Sequence, residues 1–92
     1  MSLPAFGTFR SIAQERGVRP HQYDSFVGYT LIRHMSETER TGDHVLRLAR
    51  EGRLSDDAAT GLLRCLLDCY AEPLEHVGEV EEIQRELERY DE

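Results

Sequence analysis

The stretch DDAATGLLRCLLDCYAE, residues 56–72, decides the predicted fold of this chain. Its polar and small residues fall on one narrow stripe at helical spacing, and apolar residues cover most of the remaining circumference. Ser55 stands where it can cap the first turn, and Pro73 bounds the other end. Because a helix with so narrow a polar stripe is typical of the centre of a bundle, we predict a central helix at about 55–71.

The segment that follows predicts an amphipathic C-terminal helix at about 73–90. Its apolar positions are spaced by three, four and three residues, as in the seam of a short coiled coil. We expect four residues to form a seam for self-association or for a partner: Val80, Ile83, Leu87 and Tyr90. Four glutamates at a spacing of three to four predict an acidic docking stripe: Glu75, Glu79, Glu82 and Glu86. Such stripes are mostly solvated faces. The functional interpretation is a dock for a basic protein surface, or a mimic of phosphate spacing that blocks a nucleic-acid-binding protein.

The N-terminal third predicts two helices after an irregular lead-in at residues 1–7. Thr8 can cap the first helix, and Gly17 can supply its left-handed stop. Pro20 fits the first position of a second helix, where its missing N–H costs least. That second helix carries a broad apolar face, so we expect it to be largely buried.

A capping pattern in the middle of the chain predicts a further helix. Ser36 and Glu39 match the S-x-x-E capping box, and Gly52 can end the helix that follows. Gly42 leaves open whether 36–51 is one helix or is broken there. Since no segment shows the period-two alternation of a strand, we predict an all-α, compact bundle of four to five helices that forms a single domain over 1–92.

The charge distribution restricts the partners that this chain can bind. All 11 basic residues are arginines, against 18 acidic residues, which gives a formal net charge of −7. Residues 1–35 carry four arginines and two acids, whereas residues 36–92 carry seven arginines and sixteen acids. Because an acidic body repels phosphate backbones and favours basic partners, only the N-terminal third is expected to approach nucleic acid. With no secretory signal and no apolar run near the roughly 18 residues of a membrane span, we expect no membrane association and a cytoplasmic location.

Residues 11–29, SIAQERGVRPHQYDSFVGY, resemble the spacing of a helix-turn-helix motif. Ala13 would permit a close helix crossing, Gly17 would make the turn, and Phe26 would help to seat the second helix. In that interpretation six residues contact DNA: Arg10, Arg16, Arg19, His21, Gln22 and Ser25. Any two packed helices joined by a glycine turn give the same spacing, so we favour simple packing.

A zinc site is one interpretation of the cysteines in the predicted central helix. Cys65 and Cys69 lie four residues apart, and His76 follows nearby. Structural zinc needs four ligands, which usually include a second pair elsewhere, and the chain has no second pair of cysteines. We therefore interpret both cysteines as small buried hydrophobic residues and predict no metal, cofactor or catalytic residue.

Three classes of function are compatible with these patterns. The first is a small non-enzymatic regulator, inhibitor or antitoxin-like protein that binds a protein partner, in particular a basic one, through a helix face and an acidic surface, as a homodimer in one form of the hypothesis. The second is a DNA-binding transcriptional regulator that uses residues 10–29. The third is a small enzyme or metal carrier. We favour the first, because no catalytic constellation is present in the sequence.

Overall fold

In a computed structural model, residues 7–18 and 25–91 are described, with side chains from 7–18 and 30–91. Within these ranges the chain forms four helices: α1 (Phe9–Glu15), α2 (Ser25–Arg50), α3 (Asp56–Ala71) and α4 (Glu79–Glu88). The described ranges contain no strand. The prediction of an all-α bundle is therefore confirmed.

Helix α1 begins and ends where its capping residues predict. The Thr8 hydroxyl accepts a hydrogen bond from the backbone N–H of Ser11 at 3.2 Å, which satisfies one free donor of the first turn. Gly17 follows the helix with a φ of 74°, a left-handed conformation that favours glycine. The start of the next helix, predicted at Pro20, lies outside the described residues.

Helix α2 runs unbroken through the predicted capping box, so the prediction of a separate helix at 36–51 is wrong. Ser36 lies inside the helix. The hydroxyl of Thr38 donates to the carbonyl of His34 at 2.9 Å, as an interior helical threonine can. Residues 29–35 contain no glycine or proline that would end the helical turns before Ser36. The S-x-x-E pattern therefore does not stand at the start of a helix.

Gly42 marks a helix crossing and not a break in α2. The side chain of Phe9 lies directly on this glycine, so that a Cβ at position 42 would approach Phe9 Cβ to 2.7 Å. The backbone N–H of Phe9 also donates to Asp43 Oδ1 at 2.7 Å. The Phe9 ring meets the Tyr70 ring edge to face, with 5.6 Å between their centroids. The absence of a side chain at Gly42 therefore lets α1 pack close to α2.

The central helix of the bundle is α2, and the prediction that α3 is central is wrong. Helix α2 packs against each of the other three helices. Its 26 residues extend about 39 Å at the usual helical rise, and the longest dimension of the molecule is 41 Å. Helix α3 begins as predicted, with the Ser55 hydroxyl accepting from the N–H of Ala58, but it leaves one face in solvent. That face carries Asp57, Gly61, Arg64, Cys65 and Asp68.

Helix α4 begins six residues later than predicted, at Glu79 instead of Pro73. Residues 73–78 form turns, and Gly78 adopts a φ of 89°. A left-handed residue cannot continue a right-handed helix, so the regular turns start only after Gly78. The stretch from the end of α3 to Glu79 is therefore a structured connection.

One apolar core joins all four helices. It includes Phe9 from α1, Leu46 from α2, Leu66 from α3 and Leu87 from α4, each almost inaccessible to solvent. The ends of the helices are tied by polar contacts as well, among them Arg50 Nη2 to the carbonyl of Gly7. None of the described helices combines the length and the apolar character that a membrane crossing requires.

Candidate functional site

The predicted acidic stripe lies on the surface. Its four residues are exposed, but the late start of α4 places Glu75 in the turn before the helix and only Glu79, Glu82 and Glu86 on the helix itself. The carboxylates of Glu82 and Glu86 have no hydrogen-bond or ion-pair partner among the described residues, whereas Glu79 contacts His76. We refer to Glu75, Glu79, Glu82 and Glu86 as the acidic surface.

The predicted seam of α4 faces the interior of the same chain. Val80, Ile83 and Leu87 are 3%, 7% and 0% exposed, and they belong to the core shared with α2 and α3. Tyr90 lies just beyond α4, half-buried against that core. The spacing indicated an apolar face correctly, but its partner is the chain's own bundle. These residues therefore leave no exposed apolar seam for a second copy.

Gln84 helps to hold α4 in place. Its amide donates to Thr41 Oγ1 at 2.9 Å and to Glu37 Oε2 at 3.3 Å, which joins α4 to α2 next to the buried apolar contacts. Glu79, Glu82 and Glu86 of the acidic surface therefore lie on a helix that is held to the bundle by apolar packing and by the hydrogen bonds of Gln84. Sequence reasoning missed this contact, because Gln84 lies 43 and 47 residues along the chain from Thr41 and Glu37.

The residues predicted to contact DNA are not assembled into one free basic surface in the described chain. Arg10 forms a two-pronged ion pair with Glu39, with both N–O distances at 3.1 Å. Arg16 is exposed at the end of α1 and has an interaction partner of its own. Three of the predicted residues, Arg19, His21 and Gln22, lie outside the described residues, as does the side chain of Ser25.

Glu39 connects three helices at one carboxylate. Besides Arg10 of α1, it accepts a hydrogen bond of 2.6 Å from the Tyr70 hydroxyl of α3. Burial and the hydrogen bond to Glu39 together raise the pKa of Tyr70 to about 12, the second because the carboxylate stabilises the protonated phenol. Arg10 therefore acts as part of a structural network, which weakens its predicted role at phosphates.

A cysteine, a histidine and a glutamate converge where α3 passes into α4. Cys69 is fully buried in the last turn of α3, and its Sγ lies 3.7 Å from Glu79 Oε2. The Nδ1 atom of His76 lies 3.1 Å from the same oxygen. The three ligand atoms are within 4.8 Å of one another. We call Cys69, His76 and Glu79 the junction cluster.

The electrostatics of the junction cluster favour a protonated thiol. Burial first, and then the nearby Glu79 carboxylate, together raise the pKa of Cys69 to about 12. The hydrogen bond to Glu79 also raises the pKa of His76. At neutral pH the free thiol is therefore a poor nucleophile, because thiolate is the reactive form.

The cysteine prediction is correct for Cys69 and wrong for Cys65. Cys65 is exposed on the outward face of α3, although it lies only one turn from Cys69. Two residues four apart on a helix differ by about 40° in direction around the helix axis. Which of the two cysteines points inward therefore depends on where α2 and α4 pack against α3. The two cysteines therefore do not form a site together. The relevant partner of Cys69 is Glu79, which the sequence interpretation assigned only to the acidic stripe.

A shallow groove of about 400 Å³ separates the first half of α2 from the start of α4. Its lining includes His34, Glu37, Val77 and Glu81. Val77 is 79% exposed, and His34 Nε2 is buried without a hydrogen-bond partner among the described residues. No sequence motif indicates this groove, because its two walls are about 45 residues apart in the chain.

Comparisons with known proteins give no relative. The scan of family models, the search of curated proteins and the search of solved structures each found no match.

Proposed function

We propose that this protein is a small non-enzymatic interaction module of regulatory type, which binds a basic surface of a partner protein through its acidic surface. One observation carries the proposal: Glu79, Glu82 and Glu86 share one exposed side of α4, Glu75 is exposed in the turn before it, and the carboxylates of Glu82 and Glu86 have no partner among the described residues. Carboxylates without internal partners are available to cations of another molecule, and they increase the rate of association in particular.

The support for α4 makes its carboxylates suitable for binding. Val80, Ile83 and Leu87 are buried, so the helix is anchored and its exposed side keeps a fixed geometry. A surface that is ordered before binding loses less conformational entropy when the partner binds. Self-association is not part of the proposal, since the residues predicted to carry it are used inside the chain.

The charge around the acidic surface favours a partner whose binding surface is positively charged. Residues 56–91 contain eleven acids and three arginines, a balance of −8. This excess attracts arginine- and lysine-rich proteins and repels phosphate backbones. The DNA-binding alternative has less support, because Arg10 is paired with Glu39.

A peptide titration with matched variants tests the proposal. The probe is a fluorescent oligoarginine peptide, and its binding is measured by anisotropy at low and moderate salt. The double variant Glu82→Gln/Glu86→Gln removes two charges from the acidic surface. The matched control Glu81→Gln/Glu88→Gln removes two exposed charges from the opposite edge of the same helix.

We expect the Kd to rise about tenfold for Glu82→Gln/Glu86→Gln and less than about twofold for the control, since tenfold corresponds to roughly 1.4 kcal/mol. Equal losses in both variants would mean that the peptide senses only net charge, and the proposal would fail. Retention of the wild-type protein on a DNA duplex in a gel shift at low salt would support the DNA-binding alternative instead.

A further inference from the structure

We propose that the junction cluster, Cys69, His76 and Glu79, binds a divalent metal ion of the zinc class. The cluster offers one sulfur, one imidazole nitrogen and one carboxylate oxygen within 4.8 Å of one another. Zinc binds these three ligand types, and the sulfur and nitrogen donors disfavour magnesium and calcium, which prefer oxygen. The proposal does not rest on the proposed function, because it needs no partner protein, although a bound ion would occupy the Glu79 carboxylate of the acidic surface.

The spacing of the ligand atoms matches a tetrahedral ion. Bonds of about 2.3 Å to sulfur and about 2.0 Å to nitrogen and oxygen place sulfur and oxygen roughly 3.5 Å apart, and nitrogen and oxygen roughly 3.3 Å apart. The corresponding distances in the structure are 3.7 Å from Cys69 Sγ to Glu79 Oε2 and 3.1 Å from His76 Nδ1 to the same oxygen. These two distances differ from the tetrahedral values by only a few tenths of an ångström, and the third, between the ligand atoms of Cys69 and His76, is below 4.8 Å.

A water molecule can supply the fourth ligand and complete the tetrahedron. Glu72 and Glu75 form a separate group with His76, and neither belongs to the set of ligand atoms that contains Cys69 and Glu79. With a thiolate and one carboxylate as ligands, the charge of the divalent ion is balanced, and the thiol proton is released to solvent on binding.

The position of the cluster gives the ion a structural role. Cys69 is in the last turn of α3, His76 lies in the connection, and Glu79 is the first residue of α4. An ion at this point links α3 to α4 across the turns at 73–78. We therefore expect metal binding to stabilise the C-terminal half of the bundle and to fix the acidic surface on it.

Titration of the full-length, metal-free protein with Co²⁺ tests the site. Coordination of Cys69 produces a thiolate-to-cobalt charge-transfer band in the near ultraviolet, and tetrahedral geometry produces intense visible bands. Zn²⁺ is expected to displace cobalt and to remove both signals. At about a 100-fold excess over Kd, Zn²⁺ should also raise the thermal unfolding midpoint by on the order of 10 °C.

Four variants separate the cluster from its surroundings. Cys69→Ser and Glu79→Gln each remove one ligand, and we expect the charge-transfer band to disappear in the first and the Kd for cobalt to rise at least about tenfold in the second. Cys65→Ser and Glu82→Gln are the matched controls, each about one turn from the residue it is compared with, and they should bind cobalt as the wild type does. Far-ultraviolet circular dichroism of each metal-free variant checks that it folds.

Two results would overturn the proposal. One is a wild-type protein that shows no charge-transfer band with cobalt and no change of unfolding midpoint with zinc. The other is a band that survives in Cys69→Ser and vanishes in Cys65→Ser, which would assign binding to the exposed thiol. If Cys69→Ser does not fold, the exposed position of Glu79 makes Glu79→Gln the deciding variant, and unchanged cobalt affinity in it would refute the site.

Discussion

At the scale of single residues, the crossing of α1 and α2 depends on a glycine and on a shared carboxylate. Phe9 occupies the space that a side chain at Gly42 would fill, and its ring then meets Tyr70. Glu39 accepts hydrogen bonds from Arg10 and Tyr70, so one acid joins α1, α2 and α3. Each of these residues therefore has an effect that its place in the sequence does not indicate.

Gly42 in α2 and Gly61 in α3 should respond oppositely to substitution by alanine. Alanine favours a helix interior by up to about 1 kcal/mol over glycine, so Gly61→Ala, with no atom within 4 Å of the new Cβ, should stabilise the protein by roughly that amount. Gly42→Ala should instead lower the free energy of unfolding by about 1–3 kcal/mol, because the new Cβ overlaps Phe9. Urea denaturation measures both. Stabilisation by Gly42→Ala would show that α1 does not pack on this glycine.

Tyr70 should make the fold sensitive to alkaline pH. Burial raises its pKa to about 12 from a usual value of 10.0, so the native state holds the phenol proton more tightly than the unfolded chain does. The resulting stabilisation is complete below pH 10 and is lost as the pH rises from 10 to about 12.

The matched variant for this effect is Tyr70→Phe, measured by urea denaturation from pH 8 to about 12. The variant lacks the phenol, so its disadvantage relative to the wild type should shrink across that range. Cys69, whose pKa is also raised by burial to about 12, contributes equally to both proteins. A constant difference between the two proteins would contradict a raised pKa at Tyr70.

At the scale of secondary structure, local signals predicted the helix ends that are set by local chemistry. Thr8 and Ser55 cap α1 and α3, and Gly17 and Gly52 adopt the left-handed conformation expected after a helix. The capping box at Ser36 failed, because a cap matters only where the preceding chain stops being helical. The wrong predictions about the central helix and the seam of α4 have a different cause, because they depend on how the helices pack. A periodic apolar face shows that one side of α4 is buried, but it does not show whether that side packs on the same chain or on a second one.

The apolar face of α4 should contribute to the stability of the monomer. Leu87 is fully buried, so Leu87→Ala should lower the free energy of unfolding by about 2–5 kcal/mol through lost burial and a cavity. Val77→Ala is the control, because Val77 is 79% exposed and its truncation should cost less than about 0.5 kcal/mol. Sedimentation equilibrium should give the same mass for wild type and both variants. A change in the mass of the Leu87→Ala variant without a change in its stability would support the predicted seam between two copies of the chain.

At the scale of the whole molecule, the sequence was sufficient for the helical class and for the charge, and insufficient for the junction cluster. Composition alone places an excess of acid in the C-terminal half. The approach of Glu79 to Cys69 depends on the path of the turns at 73–78, which no periodicity encodes. The groove between α2 and α4 has the same origin, since only the packed bundle brings its walls together.

The charge excess should make the fold more stable at higher salt. Ion pairs at protein surfaces contribute about 0–1 kcal/mol each, and among the described residues carboxylates such as those of Glu82 and Glu86 form no ion pair that would offset their mutual repulsion. Raising NaCl from about 0.01 M to about 0.5 M shortens the screening length several-fold, so the urea midpoint should rise. A falling midpoint would mean that the ion pairs, such as Arg47–Glu51, outweigh the repulsion.

The outward position of Cys65 makes it a site for selective labelling of the protein. Its thiol is in solvent while Cys69 is enclosed, and the chain has no lysine to compete for electrophiles. A maleimide dye or a nitroxide should therefore attach at one defined point, on the side of α3 that faces away from the packed interior. Distance measurements from that label follow the docking of another molecule without altering the acidic surface that we propose as its binding site.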